Sequence, residues 1–471
     1  MKSKKTYSRR AFIGQASCAA IGGATFFSTF FNLRSLSAAS VNNSTFNPGG
    51  GEDYRALVCI LLGGGNDSYN MLVPTDNTHY QEYATTRSNL AIPQNDLLRL
   101  NPVTFNQKEL GIHPAMPEVK ALFDQGKVAF VNNVGTLVEP TTLGTYNAGT
   151  KLPFGLFSHF DQEKQWLTSM PHAQSTTGWA GRLADMVQSA NASNDISMNI
   201  SLGGKNIFQL GNQSAEYTIL PTGNGSVGLH GFDESDDPYF QIRNAAVKSM
   251  LEKQYQDIFR GTYAEVMKSS QNAHELFSQA VGDSSISTAF SNNELSQSLL
   301  MVARTIKVRQ SLGAKRQTFF VRYDGWDHHD ELTNNHNMML GVVSKAMSEF
   351  QSALAELNVE DCVTTFTVSD FARTLMSNGN GTDHGWGGNA MVMGGKVKGG
   401  DIYGNYPSLR LDSNLMLEGG VLIPQIATDE YFAELALWYG VQPGDLKDIF
   451  PNIGSFYNTQ SNTSPLGFMN I

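Results

Sequence analysis

The chain alternates short, uninterrupted apolar runs with longer stretches in which apolar residues recur every three or four positions. Ala56 to Leu62, within "RALVCILLGGGNDSYNMLVP", is wholly apolar and stops at a glycine turn, the pattern of a strand buried on both faces. "KVAFVNNVG", "QTFFVRYDG" and "DCVTTFTVSD" repeat it. A helix-like segment from about Met116 to Asp124 precedes the first of these three, and an amphipathic run from about Asn334 to Leu357 separates the other two. Strands alternating with helices imply right-handed crossovers and a mostly parallel sheet covered on both faces. In such α/β sheets ligands bind at the carboxyl ends of the strands. Roughly Ser189 to Ser291 differs, being rich in Asn, Ser, Gly and Gln with one helix-like segment from about Arg243 to Glu265. It reads either as an inserted cap that shapes a pocket or as an irregular surface excursion. With no Pro-rich or Ser-rich linker to divide it, 54–471 reads as one domain carrying this insertion at about 189–291.

The amino-terminal residues are of another kind. "KKTYSRRAFIGQ" is basic and carries Arg9 and Arg10, an apolar segment runs from about Ala16 to Phe31, and Ser37, Ala38 and Ala39 offer a cleavage site. Residues 1–39 therefore read as a twin-arginine signal peptide, with a flexible lead-in at 40–53. The apolar segment is short for a span and contains Gly22, Gly23, Ser28 and Thr29, so no stable membrane span is expected in the mature form. The twin-arginine translocase is the expected export partner, and the periplasm or the exterior the destination. Removing 1–39 lowers the basic count from 33 to 27 against 43 acids, a net charge near −16. That balance argues against nucleic acid or anionic lipid as the main partner. Cys59 and Cys362 remain, each inside an apolar run, and suggest core residues more than a disulfide framework.

The ionisable clusters fall just after the apolar runs. In "YDGWDHHDEL", Asp327 and His329 stand two apart and Asp324 and His328 four apart, so either pair can present a carboxylate and an imidazole to one point. Zinc, manganese and iron accept that mixture, whereas the plainer reading is a polar loop whose histidines cap the next helix. In "SDFARTLMSNGNGTDHGWGGNAMVMGG", Asp370 ends a strand and His384 loops back after it. Two neighbouring strands delivering Asp327, His329, Asp370 and His384 make a metal cage, with Asp383 a further ligand or an orienter of the imidazole. Arg373 either ion-pairs with Asp370 or clamps an ester oxygen. In "GLFSHFDQEKQWL", Ser158 is a helix N-cap or, beside a metal, a nucleophile, and His159 bonds it or approaches the metal. In "GGGNDSYN", Asp67 is a candidate ligand and Ser68 a weaker nucleophile, while a dinucleotide loop fails for want of a third glycine. Trp166, Trp179, Trp326 and Trp386 can stack on a sugar, but packing beneath the loops is the commoner fate of such rings.

Taken in order, the basic leader, "LLGGGNDSYNMLVP", "FSHFDQEKQWL", "TTGWAGRLAD", "DGWDHH", the Ser369–Gly395 motif and "VKGGDIYGNYP" resemble the domain-of-unknown-function 1501 family over nearly all of the mature chain. That family is similar to the alkaline phosphatase and sulfatase superfamily. The resemblance implies an alkaline-phosphatase-like three-layer sandwich with metals at the strand ends, the nucleophile near Ser158, ligands at Asp327, His329, Asp370 and His384, and a divalent cation, zinc first, manganese or calcium as alternatives. Two positions depart: Gly63 to Gly65 stand where an acid ends the first strand, and Phe371 where a histidine often follows the later acid. Losing them implies one metal instead of two, or none. The expected function is an exported metal-dependent hydrolase of phosphate or sulfate esters, acting on a small anionic ester or a sulfated or phosphorylated glycan. The competing expectation is a non-catalytic exported protein that binds a glycan, a polymer or a cell-envelope partner.

Overall fold

The structure, a computed structural model, describes residues 53–104, 108–193, 195–228, 238–461 and 463–471. The signal peptide expected at 1–39 and nearly all of the lead-in lie outside the described residues.

Nine strands build the central sheet: β1 Arg55–Gly63, β2 Val128–Gly135, β3 Asn199–Ser201, β4 Tyr217–Thr218, β5 Arg316–Asp324, β6 Val363–Ser369, β7 Gly388–Gly394, β8 Ile402–Tyr403 and β9 Ile426–Ala427. Their order is β8-β2-β7-β6-β1-β5-β3-β4, with β9 also pairing β2. β7 is antiparallel to both neighbours, and the other pairings are parallel. The mostly parallel α/β sheet expected from the apolar runs is present, and all four of those runs are strands in it. β7, within the glycine-rich motif, carries no strand signal of its own because glycines and asparagine dilute its short apolar run.

Side chains alternate along β1, so Ala56, Val58, Ile60 and Leu62 point to one face and Leu57, Cys59 and Leu61 to the other. On the first face lie α2 (Pro117–Asp124), α7 (Glu294–Lys307) and α8 (Leu332–Glu356), which follow α1 (Asn77–Arg87) and others in the chain and bury Val119, Leu299 and Leu340 against the strand. On the second lie α4 (Trp179–Val187) and α9 (Thr428–Tyr439), burying Leu183 and Phe432. Each such side chain removed from water contributes about 1.5–3 kcal/mol, which is why three layers form. Trp166, Trp179, Trp326 and Trp386 are all buried, Trp179 stacking on Phe432 at 4.7 Å, so none of these four offers its ring to a sugar. Among the described residues neither Cys59 nor Cys362 forms a disulfide.

Of the region read as an insertion, β3 and β4 extend the sheet edge. The single helix expected at Arg243 to Glu265 is two, α5 (Pro238–Glu252) and α6 (Ile258–Gly282), because the Asp257 carboxylate accepts from Arg260 N–H at 2.9 Å and starts a new helix.

β1 lies between β5 and β6, and its register sets the site. Gly63 stands opposite Asp324 and Leu62 opposite Ser369. Three strands therefore end at one level, and Gly64–Asp67, Gly325–His329 and Asp370–Arg373 leave the sheet at one edge.

Candidate metal centre

Gly64 (φ 117°) and Gly65 (φ 90°) turn the chain away from β1 with no room for a side chain. A Cβ on Gly64 would stand 2.7 Å from Asp327 N, and one on Gly65 would stand 2.5 Å from the Phe371 ring. The glycine turn thus lets both neighbouring loops close over the strand end, and its Gly64 N–H donates to Asp370 Oδ1 at 3.1 Å. The acid missing from this strand is replaced by backbone that grips the acid of the next one.

The loop after Asp370 doubles back, Ala372 N–H donating to Trp386 O and Thr374 N–H to Asp383 O, which sets His384 opposite Arg373. His159 arrives from elsewhere, on the first turn of α3 (His159–Thr168), whose N-cap is Ser158; the Ser158 Oγ accepts from Asp161 N–H at 3.4 Å. The preceding Phe157 has φ 71°, an uncommon conformation for a non-glycine residue, and its carbonyl accepts from His384 Nδ1 at 2.8 Å.

These elements bring four side chains together. His384 Nε2 lies 3.1 Å from His159 Nε2 and 3.0 Å from His329 Nε2. The Asp327 carboxylate lies 3.4 Å from His159 Nε2, 3.1 Å from His329 Nε2 and 3.4 Å from His384 Nε2. His159, Asp327 and His384 offer ligand atoms all within 4.8 Å of one another. Behind each imidazole stands an acceptor: Asp370 Oδ2 at 2.8 Å for His159 Nδ1, the Phe157 carbonyl for His384, and Asp383 Oδ1 at 3.2 Å for His329. Acceptor oxygens hold the proton on Nδ1, so every Nε2 turns a lone pair inward. Lone pairs at such distances repel unless a proton or a cation lies between them. Inward Nε2 atoms with oriented Nδ1 atoms are the donor arrangement of a zinc-type site.

The charges agree with this at His384 and Asp327 and oppose it at His159, where a cation would have to displace a bound proton. The hydrogen bond to Asp370 raises His159 above the ordinary histidine range despite burial. Burial lowers His384, against the Phe157 carbonyl that raises it. Burial raises Asp327, but the Arg373 hydrogen bond and charge outweigh it, and the carboxyl sits below its usual range.

Two candidate ligands, Asp67 and Asp370, are corrected by this geometry, and Asp383 stands in the second of its two expected places, behind an imidazole. Asp67 is fully buried in an ion pair with Arg87 of α1, whose Nη1 also donates to Thr374 O and Leu375 O, so it belongs to the packing behind the site. Asp370 spends Oδ1 on Gly64 and Oδ2 on His159, and Asp383 accepts from His329 and from Asn378 Nδ2, so both orient imidazoles instead of facing the centre. Arg373 pairs with Asp327, not Asp370, and donates as well to Gly64 O and to Thr382. Its side chain is wholly buried, so it cannot clamp an ester. Ser68 is buried as well, its Oγ accepting from Asn389 N–H. Asp324 pairs with Arg322, and His328 turns into the core, so the second Asp/His pair of that motif does not form. The role of His159 was legible only as an alternative, because its partners lie more than 150 residues away.

The profile of a family described as "Protein of unknown function (DUF1501)" matches residues 54–415, more than half of the chain, and the chain belongs to that family. A comparison with curated proteins finds no match. Among solved structures, the chain is similar to the PsFucS1 sulfatase from Pseudoalteromonas sp. at 9% identity and TM-score 0.32, covering 88% of this chain and 71% of that one. It is similar to the lipoteichoic acid synthase LtaP from Listeria monocytogenes at 8% identity and TM-score 0.32, covering 88% and 81%. A third is the C-terminal periplasmic domain of EcEptC from Escherichia coli, in complex with Zn, at 9% identity and TM-score 0.30, covering 74% and 75%. At these identities no residue or reaction transfers from them.

Proposed function

We propose that this chain is an exported, metal-dependent hydrolase of phosphate or sulfate esters. One observation carries the reading: three inward Nε2 atoms beside the Asp327 carboxylate, each imidazole held from behind by an acceptor. The mixed nitrogen and oxygen donors suit zinc first, with manganese or calcium as alternatives. A divalent cation there supplies Lewis-acid stabilisation of charge on an ester oxygen and lowers the pKa of a nearby hydroxyl. Ser158 is the nucleophile of this reading. It stands one residue before His159; its oxygen gives up its proton to water and bonds to phosphorus or sulfur as the bond to the ester oxygen breaks, the leaving oxygen takes a proton from water, and a second water then hydrolyses the seryl ester, releasing phosphate or sulfate and restoring the hydroxyl. The positive end of the α3 helix dipole favours the negative charge that develops. His159 and His384 carry no substrate contact in this account; they hold the centre. The substrate class is a small anionic ester or a sulfated or phosphorylated glycan, and export rests on the leader at 1–39.

Metal analysis of the purified protein together with a panel of phosphate and sulfate esters tests the reading. Stoichiometric metal, turnover of a panel member, and loss of turnover in Ser158→Ala at unchanged melting temperature are the expected results. Metal-loaded protein that is inert on the whole panel would favour a second reading, a non-catalytic binding protein for a glycan, polymer or envelope partner. The buried Arg373 favours it, since no guanidinium is then left for the ester oxygens.

A further inference from the structure

Arg322, near the end of β5, joins two acids that the metal centre does not use. Its Nη1 and Nη2 donate to Glu163 Oε1 and Oε2 at 2.8 and 3.0 Å, and its Nε donates to Asp324 Oδ1 and Oδ2 at 2.6 and 2.8 Å. A guanidinium set against a carboxylate in two places fixes direction as well as distance, which an ammonium cannot do. The trio fits because β1 ends in glycine. A Cβ on Gly63 would stand 2.2 Å from Asp324 Oδ1 and 3.3 Å from Arg322 Nη2.

Glu163 belongs to α3 and lies four residues after His159, one turn along the same face. On that face His159 Nδ1 meets Asp370, and its Nε2 faces His384 and Asp327. A rotation of α3 about its axis would therefore carry the imidazole off the centre. The two-point contact between Glu163 and Arg322 opposes that rotation by tying the helix to the end of β5. The side chains of Arg322 and Glu163 are 35% and 22% exposed, so water screens this pair less than an open surface ion pair.

We propose that Arg322 is a positioning residue: through Glu163 it fixes the rotation of α3 and so aims His159 Nε2 at the cation. With Nε and both terminal nitrogens engaged, it acts through the helix and not on an ester. The inference rests on the metal-centre reading above.

Zinc affinity of the full chain, measured by competition with a chelator, tests it, with the visible spectrum of cobalt-loaded protein as a second readout. The native chain should bind zinc. Arg322→Lys, which keeps the charge but cannot engage both oxygens, and Glu163→Gln should each weaken zinc about tenfold and shift the cobalt bands. The double variant should be no weaker than either single one, because all three break the same contact. A native chain that binds no zinc would overturn the metal-centre reading and this inference with it. Native zinc binding matched by both single variants, or losses that add in the double variant, would overturn this inference alone.

Discussion

His328 and His329 are sequence neighbours with opposite fates. His329 is half exposed and turns its Nε2 to His384 and Asp327, while its Nδ1 is held by Asp383. His328 is buried beside Trp326 and His336, and neither of its ring nitrogens has a hydrogen-bond partner among the described residues. The same contrast separates two acids of the strand ends. Asp327 faces the centre, whereas Asp67 is sealed against Arg87. One region is therefore a polar cluster with inward lone pairs, and the other, just behind it, is polar packing closed off from solvent. The lesson is that the acid and imidazoles turned toward the centre are those with a partner on the far side and open space on the near side.

The sharpest way to break this comparison is to exchange the consequences. Asp67→Ala leaves the Arg87 guanidinium buried without its counter-charge, a loss of about 3–5 kcal/mol. Chemical denaturation should register that loss, while the protein that remains folded binds zinc as before. His384→Ala should do the reverse, weakening zinc by more than about 100-fold, near 2.7 kcal/mol, with little change in melting temperature. If His384→Ala unfolds the protein and Asp67→Ala strips the metal, the two regions have been assigned the wrong way round.

Acid separates them next. Burial pushes His113 and His328 down to about 4, so between pH 6.5 and 4 the unfolded chain binds protons that the folded chain does not. Stability should fall as the pH drops through that window, by up to about 3 kcal/mol per histidine. His159, raised by its hydrogen bond to Asp370, adds the opposite slope, contributing stability below 6.5 that is lost as the pH rises through its folded value. Urea titrations at a series of pH values, on the native chain and on His328→Asn, should show a flatter acid limb in the variant.

The smallest effect belongs to the orienters. Asp383→Ala removes the acceptor behind His329 and should weaken zinc about tenfold, near 1.4 kcal/mol, measured by competition with a chelator.

Much of this organisation is legible in the chain. Four apolar runs name four adjoining or nearby strands because continuous burial demands unbroken apolar sequence. Asp327, His329 and His384 are readable because acids and imidazoles are costly at a buried strand end without a task. What is not readable depends on partners distant in sequence. Arg87 takes Asp67 out of the site, Gly64 and His159 take both oxygens of Asp370, and Asp327 takes Arg373. The choice between His328 and His329 turns on which side of one loop faces the core, which spacing alone leaves open. β7 is hidden because its strand character comes from the neighbours that pair with it on both sides.

X-ray absorption by zinc-loaded protein tests the central claim most directly, since it reads the donor set itself. The account predicts a mixed nitrogen and oxygen shell at about 2.0–2.1 Å with imidazole back-scattering, diminished in His384→Ala and unaltered in His328→Asn. A shell without imidazole scattering, or one untouched by His384→Ala, would contradict it.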